Sequence, residues 1–536
     1  MWLLSVALAS PFFVTDHADV LHPSASCNGD PCSLRDAMVR ANASPGLDWI
    51  DLQVPNSDVA SPIAVTDEVI VISPSWPGHP VTATGPHRIF EVTAPMTLTD
   101  VHLVGGGLVP GDGGCIHTTS SLVMSRVWLE GCEASDRGGS VFVDGGSVSM
   151  GPGRVSDGWA VDGGAFGLEG GSLHLDGVGL WSNEAEHRGG AVFATSGATV
   201  DLSASDAWSN HAESGGAVHV DVAAELTVEG TTLRENLAFT GGAVFARQVD
   251  EVRMIDSRFN DNIADDTGGA GHIEGVSGLD IEGSVFARNL APVGAALRLL
   301  GTHTTALNNT FSHHHSIGFT PYGVALADAA ISHDATDPVG SFAGRHLTFF
   351  ATGYSEQQIE VIRNQHGTDI EPHGPPGEPE GPGGEGGGLC PTLAISGIER
   401  ADGSFPVQVS ATLGVLECVG SRVRKADAVE NSIFTWSLSP DFVADANILL
   451  LHETFPLAGN GGPTETHGLA SNHRGIGATA CFAPDDQRNV PRATGGTCDV
   501  GAFERESTDD DGDPWVDPEL DPNPYDDWVI VPPWWW

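Results

Sequence analysis

The sequence predicts an all-β protein built as a parallel β-helix, and three observations carry that prediction. First, a Gly-Gly phrase keeps returning, most clearly as Gly189-Gly190-Ala191-Val192-Phe193, Gly215-Gly216-Ala217-Val218-His219 and Gly241-Gly242-Ala243-Val244-Phe245. Its copies start at residues 113, 138, 163, 189, 215, 241 and 268, in steps of 25, 25, 26, 26, 26 and 27. A period that steady marks a stacked repeat. Second, a phrase ending in Asn keeps the same time at Asn183, Asn210, Asn236, Asn262 and Asn289. Third, short alternating runs such as Leu173-His174-Leu175, Val200-Asp201-Leu202 and Leu226-Thr227-Val228 lie between the two phrases. Alternation over so few residues predicts short strands with one buried face. The unit reads as one coil of about three strands.

The residue choice follows from stacking. Coils about 4.8 Å apart place equivalent side chains on top of one another, so Ala, Val and Phe of the Gly-Gly phrase are expected to form interior ladders. Gly-Gly supplies a tight corner, where positive φ or close backbone approach excludes a Cβ. The recurring Asn is expected to bond backbone groups at a corner and to ladder with the next coil. Both phrases therefore read as structural.

Composition sets the outer limits. The chain has 536 residues and a formal net charge of −48, with Lys425 its one lysine. Nucleic acid is excluded as a partner, since no basic surface could neutralise phosphates. Strong acidity suits a secreted protein, divalent cations or a salty habitat. No run of about 18 apolar residues occurs, so no membrane-spanning helix is expected. Met1–Ser10 is apolar, with Ala7-Leu8-Ala9 as a candidate cleavage site but no basic residues before it. Residues 1–26 are read as an export signal and leader. The eight cysteines fall into local pairs, Cys27 with Cys32, Cys115 with Cys132, Cys390 with Cys418 and Cys481 with Cys498. Without a Cys-x-x-Cys or His-x-x-x-His pattern, disulfides are favoured over zinc.

Residues 27–48 read as an N-terminal cap. Ser33 is a good N-cap, Asp36 follows three residues later, and Leu34, Ala37, Met38 and Ala41 make one apolar stripe ahead of Pro45-Gly46. A short amphipathic helix there would lid the raw end of the solenoid. Coils are expected over 49–370, beginning with Ile50-Asp51-Leu52 and Val69-Ile70-Val71-Ile72. Residues 371–388 are almost wholly Gly, Pro and Glu and read as a linker. Coils resume over 389–505, and 506–536 form an acidic tail.

The Gly-Gly-Ala-Val and Phe-x-x-Asn phrases resemble the repeats of chlamydial polymorphic outer membrane proteins. Cys32-Ser33-Leu34-Arg35-Asp36-Ala37 with Ala41-Asn42-Ala43-Ser44-Pro45-Gly46 resembles the opening of bacterial proteins carrying the "choice-of-anchor Q" domain. Gly459-Asn460-Gly461-Gly462-Pro463-Thr464-Glu465-Thr466-His467, Asp486-Gln487-Arg488 and Cys498-Asp499-Val500-Gly501-Ala502-Phe503-Glu504 resemble that family's closing phrases. The resemblance covers about residues 27–505, and the Gly/Pro/Glu linker departs from it. It implies a right-handed coil and a secreted or bacterial outer-surface location.

In the tail, Asp509, Asp511, Asp513 and Asp517 surround Gly512 in a pattern that resembles thrombospondin type 3 calcium repeats, with Pro514 where Gly is usual. Alternate carboxylates about a Gly turn suit Ca²⁺; a disordered acidic spacer is the competing reading. No catalytic set is assigned. A lyase needs a base beside calcium-holding acids, and Arg234, Arg253, Arg258 and Arg288 sit in no recognisable motif. The acid neighbours Glu184/Glu186, Asp265-Asp266 and Asp485-Asp486 are candidates for a hydrolase pair only by adjacency. His313-His314-His315 cannot converge on one ion from a strand. Trp128, Trp159, Trp181 and Trp208 read as an interior aromatic position that Phe259 and Phe286 continue, with sugar stacking as the rival. The expected function is non-catalytic adhesion to, or recognition of, a polysaccharide or another cell surface. A lyase or hydrolase of acidic glycans and a structural envelope protein are the alternatives.

Overall fold

The computed structural model describes residues 11–311, apart from 23–25, 29, 75–78 and 308. Beyond 311 it describes the backbone of short strands as far as Thr497–Cys498. The chain is a parallel β-solenoid with a single helix among the described residues. One coil shows the plan. Val192–Thr195 forms a first side, Thr199–Ser203 a second, Asp206–Trp208 a third and His211–Ser214 a fourth. Each side pairs in parallel with its counterpart one coil on, as in Val192↔Val218, Val200↔Leu226, Trp208↔Arg234 and His211↔Leu237. The coil thus has four strands, not three. The fourth was hidden because it contributes one small interior residue, Ala212, and shows no alternation.

Left-handed residues turn most of the corners. In the coil from Val218, these are Val222, Gly230, Glu235 and Gly241, with φ of 53°, 55°, 54° and 64°. Only the Gly-Gly corner demands glycine on two counts. Gly215 has φ of 65°, and a Cβ on Gly216 would collide with the Gly242 carbonyl while lying 2.7 Å from that of Leu237. Close backbone approach is at work at both residues, since a Cβ on Gly215 would meet the Val218 carbonyl, and positive φ adds to it at Gly215.

The interior is a set of ladders. Leu173, Val200, Leu226, Val252 and Leu279 stack along the second side, all buried. On the third, Phe259, Phe286 and Phe311 lie nearly parallel, with centroids 4.8 and 4.9 Å apart. That is the coil spacing itself, and burying each such ring contributes about 1.5–3 kcal/mol. The Asn ladder forms as expected. Asn210 Nδ2 donates to Asn236 Oδ1 at 3.0 Å and to the Leu180 carbonyl at 2.9 Å, while Asn236 Oδ1 also accepts the Asn210 N–H. A second ladder was not legible. Ser205, Thr231, Ser257 and Ser284 each accept, or have accepted for them by the next member, a backbone N–H at the corner before the third side. Its members change type from coil to coil, so no repeated letter marks it.

The N-terminal end is capped. Helix Leu34–Ala41 starts on the capping box of Ser33 and Asp36 and buries Leu34, Ala37, Met38 and Ala41. Burial alone would raise the Asp36 carboxyl, but hydrogen bonds from His22 and Ser33 hold it below its ordinary value. Asn42 ties the helix end to the first coil, donating to the Ala64 carbonyl and accepting from the Thr66 N–H. Phe12–Val14 pairs with Asp48–Leu52 as the outermost strand of the second-side sheet, so this end of the fold begins ahead of Cys27. Disulfides join Cys27 to Cys32 and Cys115 to Cys132; the other two proposed pairs involve Cys390, Cys418 and Cys481, outside the described residues. Beyond the Gly/Pro/Glu stretch, Thr392–Ser396, Val407–Ser410 and Ile433–Phe434 pair in parallel with Ala329–Asp334, Ser341–Arg345 and Thr348–Phe350. The stack therefore resumes across it.

Candidate functional site

With the interior sealed, any site must be built from outward-facing side chains. The tryptophans are the first of these, and the expectation of an interior row is corrected. Trp128, Trp159, Trp181 and Trp208 are all half-buried on the outside. The reason is strand parity. In Trp181-Ser182-Asn183 the aromatic stands two residues before the corner Asn, whereas Phe259 stands three before Asn262. A one-residue offset sends a side chain to the opposite face. Trp208 accordingly pairs with Arg234, and Phe259 with Leu233. Trp159 lies on the fourth side, in register with Glu184.

On the third side three of these residues join a stripe made of two register rows two residues apart, His102–Trp128–Arg154 and Trp181–Trp208–Arg234, which meet where Arg154 lies over Trp181. His102, Trp128, Arg154, Trp181, Trp208 and Arg234 come from six successive coils. His102 meets Trp128 edge-on at 5.7 Å, and Trp181 meets Trp208 edge-on at 6.3 Å. The Arg154 guanidinium lies 4.6 Å from the Trp181 ring centre and that of Arg234 lies 4.4 Å from Trp208. Gly179 makes the seat for Trp181, since a Cβ there would stand 2.8 Å from the indole Nε1. Trp208 Nε1 donates to Glu235 Oε2 at 2.9 Å, and Arg234 pairs with Asp206 at 3.2 Å. Indoles fixed this way offer apolar surface with little rotamer freedom left to lose.

A second outward row lies on the first side. Phe142, Phe193, His219, Phe245 and His272 alternate with interior residues and stand outside the main core, yet are buried. The Phe of the Gly-Gly-Ala-Val phrase is therefore not an interior ladder residue. Side chains five residues earlier, across the Gly-Gly corner, cover the row. Arg137 lies over Phe142 at 4.5 Å and Arg188 over Phe193 at 4.2 Å. Ser214 Oγ lies 3.1 Å from His219 Nδ1, and Thr267 Oγ1 lies 2.7 Å from His272 Nδ1. Burial, with Arg188 nearby, pushes His219 down to about 3, and burial pushes His272 down to about 4. Both imidazoles are neutral at pH 7; His219 is packed between Phe193 and Phe245, the latter at 4.7 Å, and His272 stacks on Phe245 at 5.0 Å. Arg188 holds Asp162 and Arg247 holds Asp221, each at 2.6 Å. This row is a sealed structural seam.

The candidate catalytic residues do not converge. Glu184, Glu186, Asp265 and Asp266 are exposed. Arg234 and Arg288 are engaged by Asp206 and Asp261, Arg253 lies 3.9 Å from Glu251, and Arg258 is nearly buried. Among the described residues no group of three or more His, Cys, Asp or Glu stands close enough to hold a metal. Asp509, Asp511, Asp513 and Asp517, with Asp485-Asp486, His313-His314-His315 and Lys425, lie outside the described residues. No helix among the described residues is long and apolar enough to cross a membrane. No family model, curated protein or solved structure matches this chain.

Proposed function

We propose that the protein is a secreted or surface-displayed recognition module that binds an extended polysaccharide, or a similar polymer of another cell surface, without catalysis. The single observation that carries this reading is the third-side stripe from His102 to Arg234. Indoles left outside on a solenoid, one coil apart, match the repeat of a linear polymer better than a compact ligand. The sugar's apolar ring surface would lie against Trp181 and Trp208, and the flanking charged groups would take its hydroxyls. Two disulfides among the described residues suit an oxidising compartment. Calcium remains a proposal for the acidic tail, tested by whether a peptide of residues 506–536 binds Ca²⁺ in calorimetry and Asp511→Asn weakens it.

The test is affinity electrophoresis and calorimetry of the full chain on a panel of neutral and acidic glycans, with unsaturated-product absorbance and new reducing ends followed alongside. Binding that falls about tenfold or more in Trp181→Ala and Trp208→Ala is expected, since buried aromatic anchors dominate binding surfaces. Protein-dependent product would replace this reading with a lyase or hydrolase. Binding indifferent to both tryptophans would move the site off the third side.

A further inference from the structure

Arg154 stands apart from the other arginines of the repeat. Arg126, Arg137, Arg188, Arg247 and Arg288 each pair with an aspartate 25–27 residues back, one coil away: Asp100, Asp112, Asp162, Asp221 and Asp261. The cross-strand residue one coil before Arg154 is Trp128, and the one after is Gly179. Among the described residues no carboxylate lies within ion-pair reach of its guanidinium, and its Nε is shut from solvent with no hydrogen-bond partner. Two acids of this face are already engaged, Glu130 by His102 at 3.0 Å and Asp206 by Arg234. In a chain of net charge −48, a guanidinium of the repeat left without a carboxylate calls for an explanation. The guanidinium lies over the Trp181 ring, which holds the planar group in place in the middle of the stripe.

We propose that Arg154 and Trp181 form the anion-reading subsite of the stripe, and that the polymer bound there is built of uronic acid residues. The inference rests on the recognition reading above and narrows its ligand. A fixed guanidinium fork matches a carboxylate bidentately, so a hexuronate could place its carboxylate on Arg154 while its ring lies against Trp181 and Trp208. Gly179 serves the same end, since any side chain there would displace the indole. The chain's overall negative charge works against a polyanion at long range, but it is screened beyond about 8 Å at physiological ionic strength, where a direct charge-assisted pair still acts.

The experiment titrates the full chain at physiological ionic strength with three polyuronates, namely polygalacturonate, alginate and glucuronan, and with their methyl esters, which keep the sugar ring and lose the charge. At least one polyuronate should bind about tenfold more tightly than its ester, a factor in keeping with one charge-assisted hydrogen bond. Arg154→Gln should erase that preference, the acid then binding no more tightly than the ester; circular dichroism would confirm that the variant is folded. Arg154→Lys should restore it only in part, because an ammonium lacks the fork. Equal affinity for acid and ester, or a preference that survives Arg154→Gln, would overturn the subsite. If only neutral polymers bind, and do so through Trp181, the subsite falls while the recognition reading stands. If no polymer binds, both fall together.

Discussion

Replacing Asn236 by alanine probes the ladder that makes the repeat cohere. The side chain is fully buried. Its Oδ1 accepts the Asn210 N–H and one Asn210 Nδ2 hydrogen, both at 3.0 Å. Its Nδ2 donates to the Ala207 carbonyl and to Asn262 Oδ1, again at 3.0 Å. Asn262 Oδ1 keeps the Asn236 backbone N–H after truncation, and the other Asn210 Nδ2 hydrogen keeps the Leu180 carbonyl. What Asn236→Ala orphans is one backbone N–H, one amide hydrogen and one carbonyl, none reachable by water. At about 1–3 kcal/mol per stranded group, with part of it relieved by relaxation, the cost is about 3–6 kcal/mol. Solenoids lose cooperativity along their length, so two readouts are needed. Denaturant unfolding should show the loss, and amide hydrogen exchange should place it, with the Asn210 N–H exchanging faster. Asn236→Asp should cost at least as much at pH 7, because a carboxylate would face the Ala207 carbonyl with no donor. The exposed Glu213→Ala should stay within about 0.5 kcal/mol of wild type. If Asn236→Ala proved as mild as Glu213→Ala, the ladder would be ornament and the argument from buried polar groups would fail.

Three further predictions use other features. Gly216→Ala should prevent stable folding, since its Cβ meets backbone on two sides, whereas Gly197→Ala, at φ of 76° with open space around it, should cost about 1–2 kcal/mol; thermal melts separate the two. His219 and His272 have folded-state pKa values well below the unfolded 6.5, so the unfolded chain binds more protons as pH falls through about 6.5 toward 3. Stability is fully present above that window and declines within it by up to a few kcal/mol, and His219→Phe, which extends the ring stack, should flatten the decline in pH-dependent denaturation. Reducing the Cys115–Cys132 bridge, with a sequence separation of 17, should lower stability by about 3 kcal/mol, read as a melting shift with and without reductant in a Cys27→Ala/Cys32→Ala background.

The sequence by itself determined the architecture. A steady 25–27-residue period with Gly-Gly and Asn in fixed phase permits little but a stacked coil, because both residues act on the backbone at corners and must recur wherever the corner does. The cap helix was legible for the same reason: Ser33, Asp36 and the stripe from Leu34 to Ala41 act locally. The outward surface was decided only by the tertiary structure. Whether Trp181 faced in or out hung on one residue of offset from Asn183, which composition cannot register and strand pairing settles. The covering of Phe193 by Arg188, the seat that Gly179 makes for Trp181 and the solitary Arg154 each depend on which side chain of one coil lies over which of the next. A repeat specifies its own backbone through local chemistry, but the chemistry of its faces is written between coils, among residues some 25 positions apart that meet only once the coils are stacked.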